Sequence, residues 1–129
     1  MKKYLILVGG ILLILLLIAL QTGDTPTIGG DPLFQSIPSN TYTEFQGEFE
    51  FILLDLRTPA EFNEFHLPSA RNLDFYNPSF REQLALLDRD QTYVIYCRTG
   101  SRSKATLTIM RELGFTSVFE LNEGIVGCC

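Results

Sequence analysis

Apolar residues in this chain come in short unbroken runs, and the runs alternate with stretches whose apolar positions recur at helical spacing. Leu33 to Ile37, Phe51-Ile52-Leu53-Leu54, Arg71 to Leu73, Thr92 to Tyr96 and Ser117 to Glu120 read as strands. The continuous runs are of the kind buried on both faces. Between them, Asn40 to Phe45 predicts a short helix capped by Ser39 or Asn40, and Pro59 to Phe65 a second with Thr58 as cap and proline in its first turn. Pro78 to Leu87 predicts a third. The fourth starts at Ser103 and runs to Leu113, with an apolar stripe of Ala105, Leu107, Ile109, Met110 and Leu113, and Gly114 ends it. Alternation of this kind predicts an α/β fold: a central parallel sheet of about five strands with helices on both faces.

The sheet is preceded by a different kind of segment. After Met1-Lys2-Lys3, residues 4–20 carry no polar side chain except the Tyr4 hydroxyl, which predicts one hydrophobic N-terminal helix of roughly 25 Å. Small residues suited to a cleavage site are missing around Ala19-Leu20-Gln21, so residues 1–20 are expected to remain as a membrane anchor rather than leave as a signal peptide. Lys2 and Lys3 stay cytoplasmic by the positive-inside tendency. Either fate puts the rest outside the cytoplasm: membrane-anchored on the periplasmic or extracellular face, or secreted after cleavage. Residues 21–32, rich in Gly, Thr, Asp and Pro, read as a flexible linker, and 33–129 as one domain.

The chain has ten Lys/Arg, two of them Lys2 and Lys3, against fifteen Asp/Glu, so the body past residue 20 is acidic by about seven charges. That argues against nucleic acid as partner. One segment opposes this field: Cys97-Arg98-Thr99-Gly100-Ser101-Arg102-Ser103, followed by Lys104, directly after Tyr93-Val94-Ile95-Tyr96. A cysteine leaving a buried strand into a short loop before a helix has a thiolate stabilised by backbone N–H groups and the helix N-terminal charge. Cys97 is thus expected to be a nucleophile with a depressed pKa, and a small anion its visitor.

Several separated motifs share one order: Asp55-Leu56-Arg57, Pro59-x-Glu61-Phe62, His66-Leu67-Pro68-Ser69-Ala70, Val94 to Ser103, Leu113-Gly114-Phe115-x-x-Val118-Phe119, and Leu121-x-x-Gly124-Ile125. Together they resemble the rhodanese family of single-domain sulfurtransferases, from about Leu33 to Val126. The resemblance implies that Cys97 accepts a sulfane sulfur as a persulfide, from a donor such as thiosulfate, and passes it to a thiol or cyanide acceptor. It implies that Arg98, Thr99, Gly100, Ser101, Arg102 and Ser103 form the anion-binding loop. Four residues separate Cys97 from Arg102, where cysteine phosphatases have five before their arginine, and the tighter loop favours a single sulfur over a tetrahedral oxyanion.

Asp55 and Arg57, at a strand end, are expected to support the pocket through an ion pair, and His66 to be a satisfied loop residue. Ser69 stands where the family usually has glycine, and Cys128-Cys129 where it has a tryptophan shortly after the glycine and often a further helix. Those two cysteines are candidates for a vicinal disulfide, for pairing with another chain or a redox partner protein, or for resolving the Cys97 persulfide. One histidine and two terminal cysteines make a poor metal site, and no cofactor is expected.

Overall fold

The structure, a computed structural model, describes residues 33–129. The anchor expected at 1–20 and the linker at 21–32 lie outside the described residues. Among the described residues no helix is long and apolar enough to cross a membrane. Strands β1 (Leu33–Ile37), β2 (Ile52–Asp55), β3 (Arg71–Asn72), β4 (Thr92–Tyr96) and β5 (Ser117–Leu121) form one sheet in the order β1-β5-β4-β2-β3. Every pairing is parallel. A 3-10 turn at Ser39–Thr41 leads into α1 (Tyr42–Phe45), followed by α2 (Pro59–Glu64), α3 (Phe80–Ala85), α4 (Ser101–Glu112) and a closing 3-10 turn at Gly124–Gly127.

Strand β4 shows why its sequence is apolar without alternation. Tyr93 and Ile95, with Cys97 just beyond, pack with Leu54, Phe80, Leu84, Met110, Phe115 and Val118 on one face. Val94 and Tyr96 pack with Ile37, Tyr42, Leu53, Leu67, Phe119 and Leu121 on the other. Side chains alternate across a strand, so a polar residue in this run would be buried on whichever face it pointed to. Each apolar side chain so buried contributes about 1.5–3 kcal/mol.

Three of the expected helices differ in extent. Helix α4 begins at Ser101 rather than Ser103, and its buried residues are Ser103, Thr106 and Met110, while Ala105, placed in the apolar stripe by sequence, is exposed. Small hydroxyl side chains are buried there because they are hydrogen-bonded: Thr106 Oγ1 donates to the Arg102 carbonyl at 2.9 Å. Helix α3 spans less than Pro78 to Leu87 because its approach is a turn, in which Asn77 Oδ1 accepts the Ser79 N–H and Asn77 O accepts that of Phe80. The segment expected as one helix from Asn40 divides into a 3-10 turn and α1 without a side-chain cap, since the Ser39 hydroxyl instead accepts the Glu123 N–H at 3.2 Å.

Helix α2 starts as expected from Pro59, with Thr58 in a full capping box: the Thr58 hydroxyl accepts the Glu61 N–H, and the Glu61 carboxylate accepts the Thr58 N–H. The same carboxylate receives two hydrogen bonds from Arg102 of α4, at 2.9 and 3.0 Å, which tie α2 to α4. The Arg102 guanidinium, helped by Thr58 and opposed by burial, holds Glu61 down to about 2. Further along, Ser69 holds a left-handed φ of 65°, so the turn keeps a glycine-like conformation without glycine.

Two outcomes follow from these local arrangements. Ser69→Gly should raise stability by about 0.5–1 kcal/mol in denaturant melts, because the left-handed strain it relieves exceeds the extra chain entropy it adds. Glu61 is held below its ordinary value of 4.5, so its contribution is present in full above that pH and is lost as pH falls through about 2. Denaturant midpoints measured across that window should therefore fall more steeply for wild type than for Glu61→Gln, which should also be less stable at neutral pH.

Candidate active site

Cys97 follows the last residue of β4, at the carboxyl edge of the sheet, and its side chain is 0% exposed. The chain then reverses at Gly100, where φ is 96° and a Cβ would stand 1.9 Å from the Asn122 carbonyl oxygen, so only glycine fits. That reversal aims the Gly100 N–H at Cys97 Sγ, 3.1 Å away, with Ser103 Oγ 3.8 Å from the same sulfur. Burial pushes the thiol up, but the backbone N–H groups of Ser103, Thr99 and Gly100 and the Ser103 hydroxyl outweigh it, so Cys97 titrates below its ordinary value.

The outward-facing carbonyls of the loop are held from behind. Ile125 N–H donates to Cys97 O at 2.9 Å and Val126 N–H to Arg98 O at 3.2 Å. Their approach depends on Gly124, with φ of 60°, where a Cβ would lie 2.4 Å from the Arg98 carbonyl. With its carbonyls occupied in this way, the loop keeps its N–H groups turned toward the sulfur. Just past this turn, Cys128 and Cys129 are disulfide-bonded to each other, and Cys97 is a free thiol. Neither tail cysteine is therefore a free thiol available to Cys97.

The arginines of the motif differ in what they can do. Arg98 is exposed and lines a cavity of about 240 Å³ with Arg57, Glu61, Glu64, Phe65, Ile125 and Val126. Arg102, expected as a second anion-attracting group, spends its charge on Glu61 and lies over the Tyr76 ring at 5.5 Å. Thr99 and Ser101 are exposed, and Ser103 is buried beneath the loop. Asp55 and Arg57 form a buried ion pair at 2.7 Å. Asp55 also accepts the Tyr96 hydroxyl at 2.7 Å, and Tyr96 in turn accepts the Leu67 N–H. Burial and the neighbouring Asp55 hold the Tyr96 phenol well above its ordinary value, so it stays a donor. His66 is exposed, donates from Nδ1 to the Phe62 carbonyl and stacks on the Phe62 ring, a satisfied loop residue.

Two partnerships were not foreseen from sequence. Glu61 was visible only as part of a motif, and its pairing with Arg102 spans 41 positions. Glu120 lies beneath Ser103, whose hydroxyl reaches its carboxylate at 2.8 Å. A charged residue inside the apolar Val118-Phe119-Glu120-Leu121 run was the signal that could have found it.

The rhodanese-like domain model matches residues 40–129. Over 74 residues the chain is 36% identical to the probable adenylyltransferase/sulfurtransferase MoeZ of Mycobacterium tuberculosis, covering 57% of this chain and 19% of that protein. It is 32% identical over 77 residues to a sulfurtransferase of Allochromatium vinosum, covering 60% of this chain and 70% of the relative. The tRNA sulfurtransferase of Yersinia pestis is 39% identical over 71 residues, 52% of this chain but 14% of that protein. Among solved structures, a rhodanese-related protein from Thermoplasma volcanium superposes with TM-score 0.58 at 27% identity, covering 70% of this chain and 86% of that one. A rhodanese-like domain protein from Staphylococcus aureus gives TM-score 0.64 at 19% identity, covering 72% and 89%, a likeness of fold. With its motifs in order, its five-stranded parallel sheet and a family match over most of its length, the chain belongs to the rhodanese-like domain family.

Proposed function

We propose that this protein is a sulfurtransferase that carries sulfane sulfur on Cys97, taking it from a donor such as thiosulfate and giving it to a thiol or to cyanide. The observation that supports this reading best is the cradle itself, a buried sulfur at a strand end with the Gly100 N–H 3.1 Å away. The Cys97 thiolate attacks the sulfane sulfur: an S–S bond forms, the donor's bond to that sulfur breaks, and its electron pair leaves on the remainder, sulfite in the case of thiosulfate. The terminal sulfur of the persulfide carries negative charge, which loop N–H groups are suited to hold. An acceptor then attacks that outer sulfur and Cys97 departs as thiolate. Arg98 is the cation left to draw an anionic donor to the mouth, while Asp55 and Arg57 hold its wall.

The apolar residues 4–20 support a further part of the reading, a tether that keeps the domain at a membrane outside the cytoplasm. N-terminal sequencing of protein recovered from membranes should find Met1 or Lys2; recovery from the soluble fraction alone, trimmed past residue 20, would replace the anchor with a cleaved signal. A second reading, a module that keeps the fold but does not turn over, is favoured by one observation, the complete burial of the Cys97 side chain.

Mass measurement separates the two readings. After incubation with thiosulfate, wild type should gain one sulfur atom on the peptide holding Cys97 and Cys97→Ser none; no gain on folded wild type would establish the non-catalytic module. Gly100→Ala keeps the N–H, but its Cβ cannot fit against the Asn122 carbonyl, so the loop must shift and turn that donor away from the sulfur; the thiol should then alkylate with a midpoint moved up toward about 8.5, that of a free cysteine. A Gly100→Ala midpoint equal to wild type would mean that the loop N–H groups do not set the reactivity of Cys97.

A further inference from the structure

Glu120 is the anomaly of the sheet. It is the fourth of five residues in β5, between Phe119 and Leu121, is 1% exposed, and faces α4 on the side where Val118 packs. Its neighbours in register are Ser36 of β1 and Ile95 of β4. Among the described residues no lysine, arginine or histidine pairs with it. Arg111 of α4 lies over the Phe34 ring instead, and Lys104 is exposed. The carboxylate is served by hydroxyls alone: Ser36 Oγ on Oε1, and Ser103 Oγ on Oε2 at 2.8 Å. A buried carboxylate without a cation is costly to keep for packing alone.

The second hydroxyl is the one that adjoins the sulfur. Ser103 Oγ has a single hydrogen and three neighbours able to take it: the Glu120 carboxylate at 2.8 Å, the Gly100 carbonyl at 2.9 Å, and Cys97 Sγ at 3.8 Å. A carboxylate is the strongest of these acceptors while Cys97 is a neutral thiol, so Ser103 then donates to Glu120 and offers its lone pairs to the S–H. Arg102 of α4 acts on the Cys97 sulfur through space, but its guanidinium is already neutralised by Glu61, so once Cys97 is a thiolate two negative charges would face each other across one hydroxyl in a site closed to water. The arrangement avoids this if one proton serves both groups.

We propose that Glu120 is the proton acceptor for Cys97, acting through the Ser103 hydroxyl. The Cys97 S–H proton passes to Ser103 Oγ while the Ser103 proton passes to Glu120 Oε2. The result is a thiolate, an unchanged serine and a neutral carboxylic acid, with the buried site holding one negative charge before and after. When Cys97 leaves the persulfide as thiolate the same steps run backwards. Ser36, exposed on the edge strand, is the end of the chain of hydroxyls that meets solvent. The inference rests on Cys97 being the reactive thiol, and it concerns how that thiol loses its proton, whatever the sulfur donor.

The test is the pH profile of Cys97 alkylation by iodoacetamide on the full chain, followed by mass on the peptide holding Cys97. A shared proton gives wild type two steps, with a plateau of partial reactivity between them, and gives Glu120→Gln a single step that reaches full reactivity at lower pH. A single wild-type step, merely displaced or unmoved in Glu120→Gln, would overturn the proposal, because a bystander charge shifts a titration without dividing it. Infrared difference spectra provide the second readout. At plateau pH, wild type should show both an S–H stretch and a protonated-carboxyl C=O stretch, and the latter should be lost in Glu120→Gln and in Cys97→Ser. Absence of the carboxyl band from wild type would likewise overturn it. Neither readout requires sulfur transfer, so a protein that shows the two-step profile but gains no sulfur from thiosulfate would keep this inference and lose the function proposed above.

Discussion

A parallel strand covered on both faces commits every side chain along its length to packing, and the first position free to do anything else is the one where the chain leaves the sheet. In this protein that position is Cys97. Tyr93, Val94, Ile95 and Tyr96 alternate between two cores, and the cysteine continues the face of Tyr93 and Ile95 while its backbone has already turned into the loop. The loop has little freedom of its own. Gly100 and Gly124 each permit a backbone approach that any side chain would block, one against Asn122 and one against Arg98. The cradle is thus a product of sheet geometry and two contacts from the segment after β5.

Charge around the sulfur follows from the same enclosure. Arg57 answers Asp55, Arg102 answers Glu61, and only Arg98 of the three arginines near the cavity faces outward without such a partner. Within the loop, negative charge on sulfur is met first by backbone N–H groups and a hydroxyl, with the Arg102 guanidinium acting on it through space, which suits a soft atom without selecting for a bulky oxyanion.

How much of this was legible depended on the range of the physics involved. Strand β4, the Thr58-Pro59 helix start and the glycine after α4 could be read because each is set by neighbours within a few residues. The apolar stripe of α4 packs on the core at Leu107, Ile109, Met110 and Leu113, and only its small and hydroxyl-bearing positions depart from what polarity suggests. Thr106 and Ser103 can be buried while their hydroxyls find partners, and Ala105, apolar but small, gives up little by facing water. Ser39 lost its expected capping role to a partner 84 positions away, and Arg102 lost its expected freedom to one 41 positions away. Pairings at that range become visible only when the sheet order is known.

The sheet order also bears on how the chain reaches its native state. Strand β1 lies at the edge and pairs only with β5, Leu33 opposite Ser117 and Ile37 opposite Leu121, so the first described strand must wait for the last one to form. Closing so long a loop costs entropy before any contact repays it, and non-local pairing of this kind is slow. Until β1 arrives, Ser36 is absent from Glu120 and the carboxylate on β5 is open to water along that edge. Strand β1 is in this sense the cover over the Glu120 carboxylate, and breathing of that edge is the motion through which solvent would reach the floor of the site.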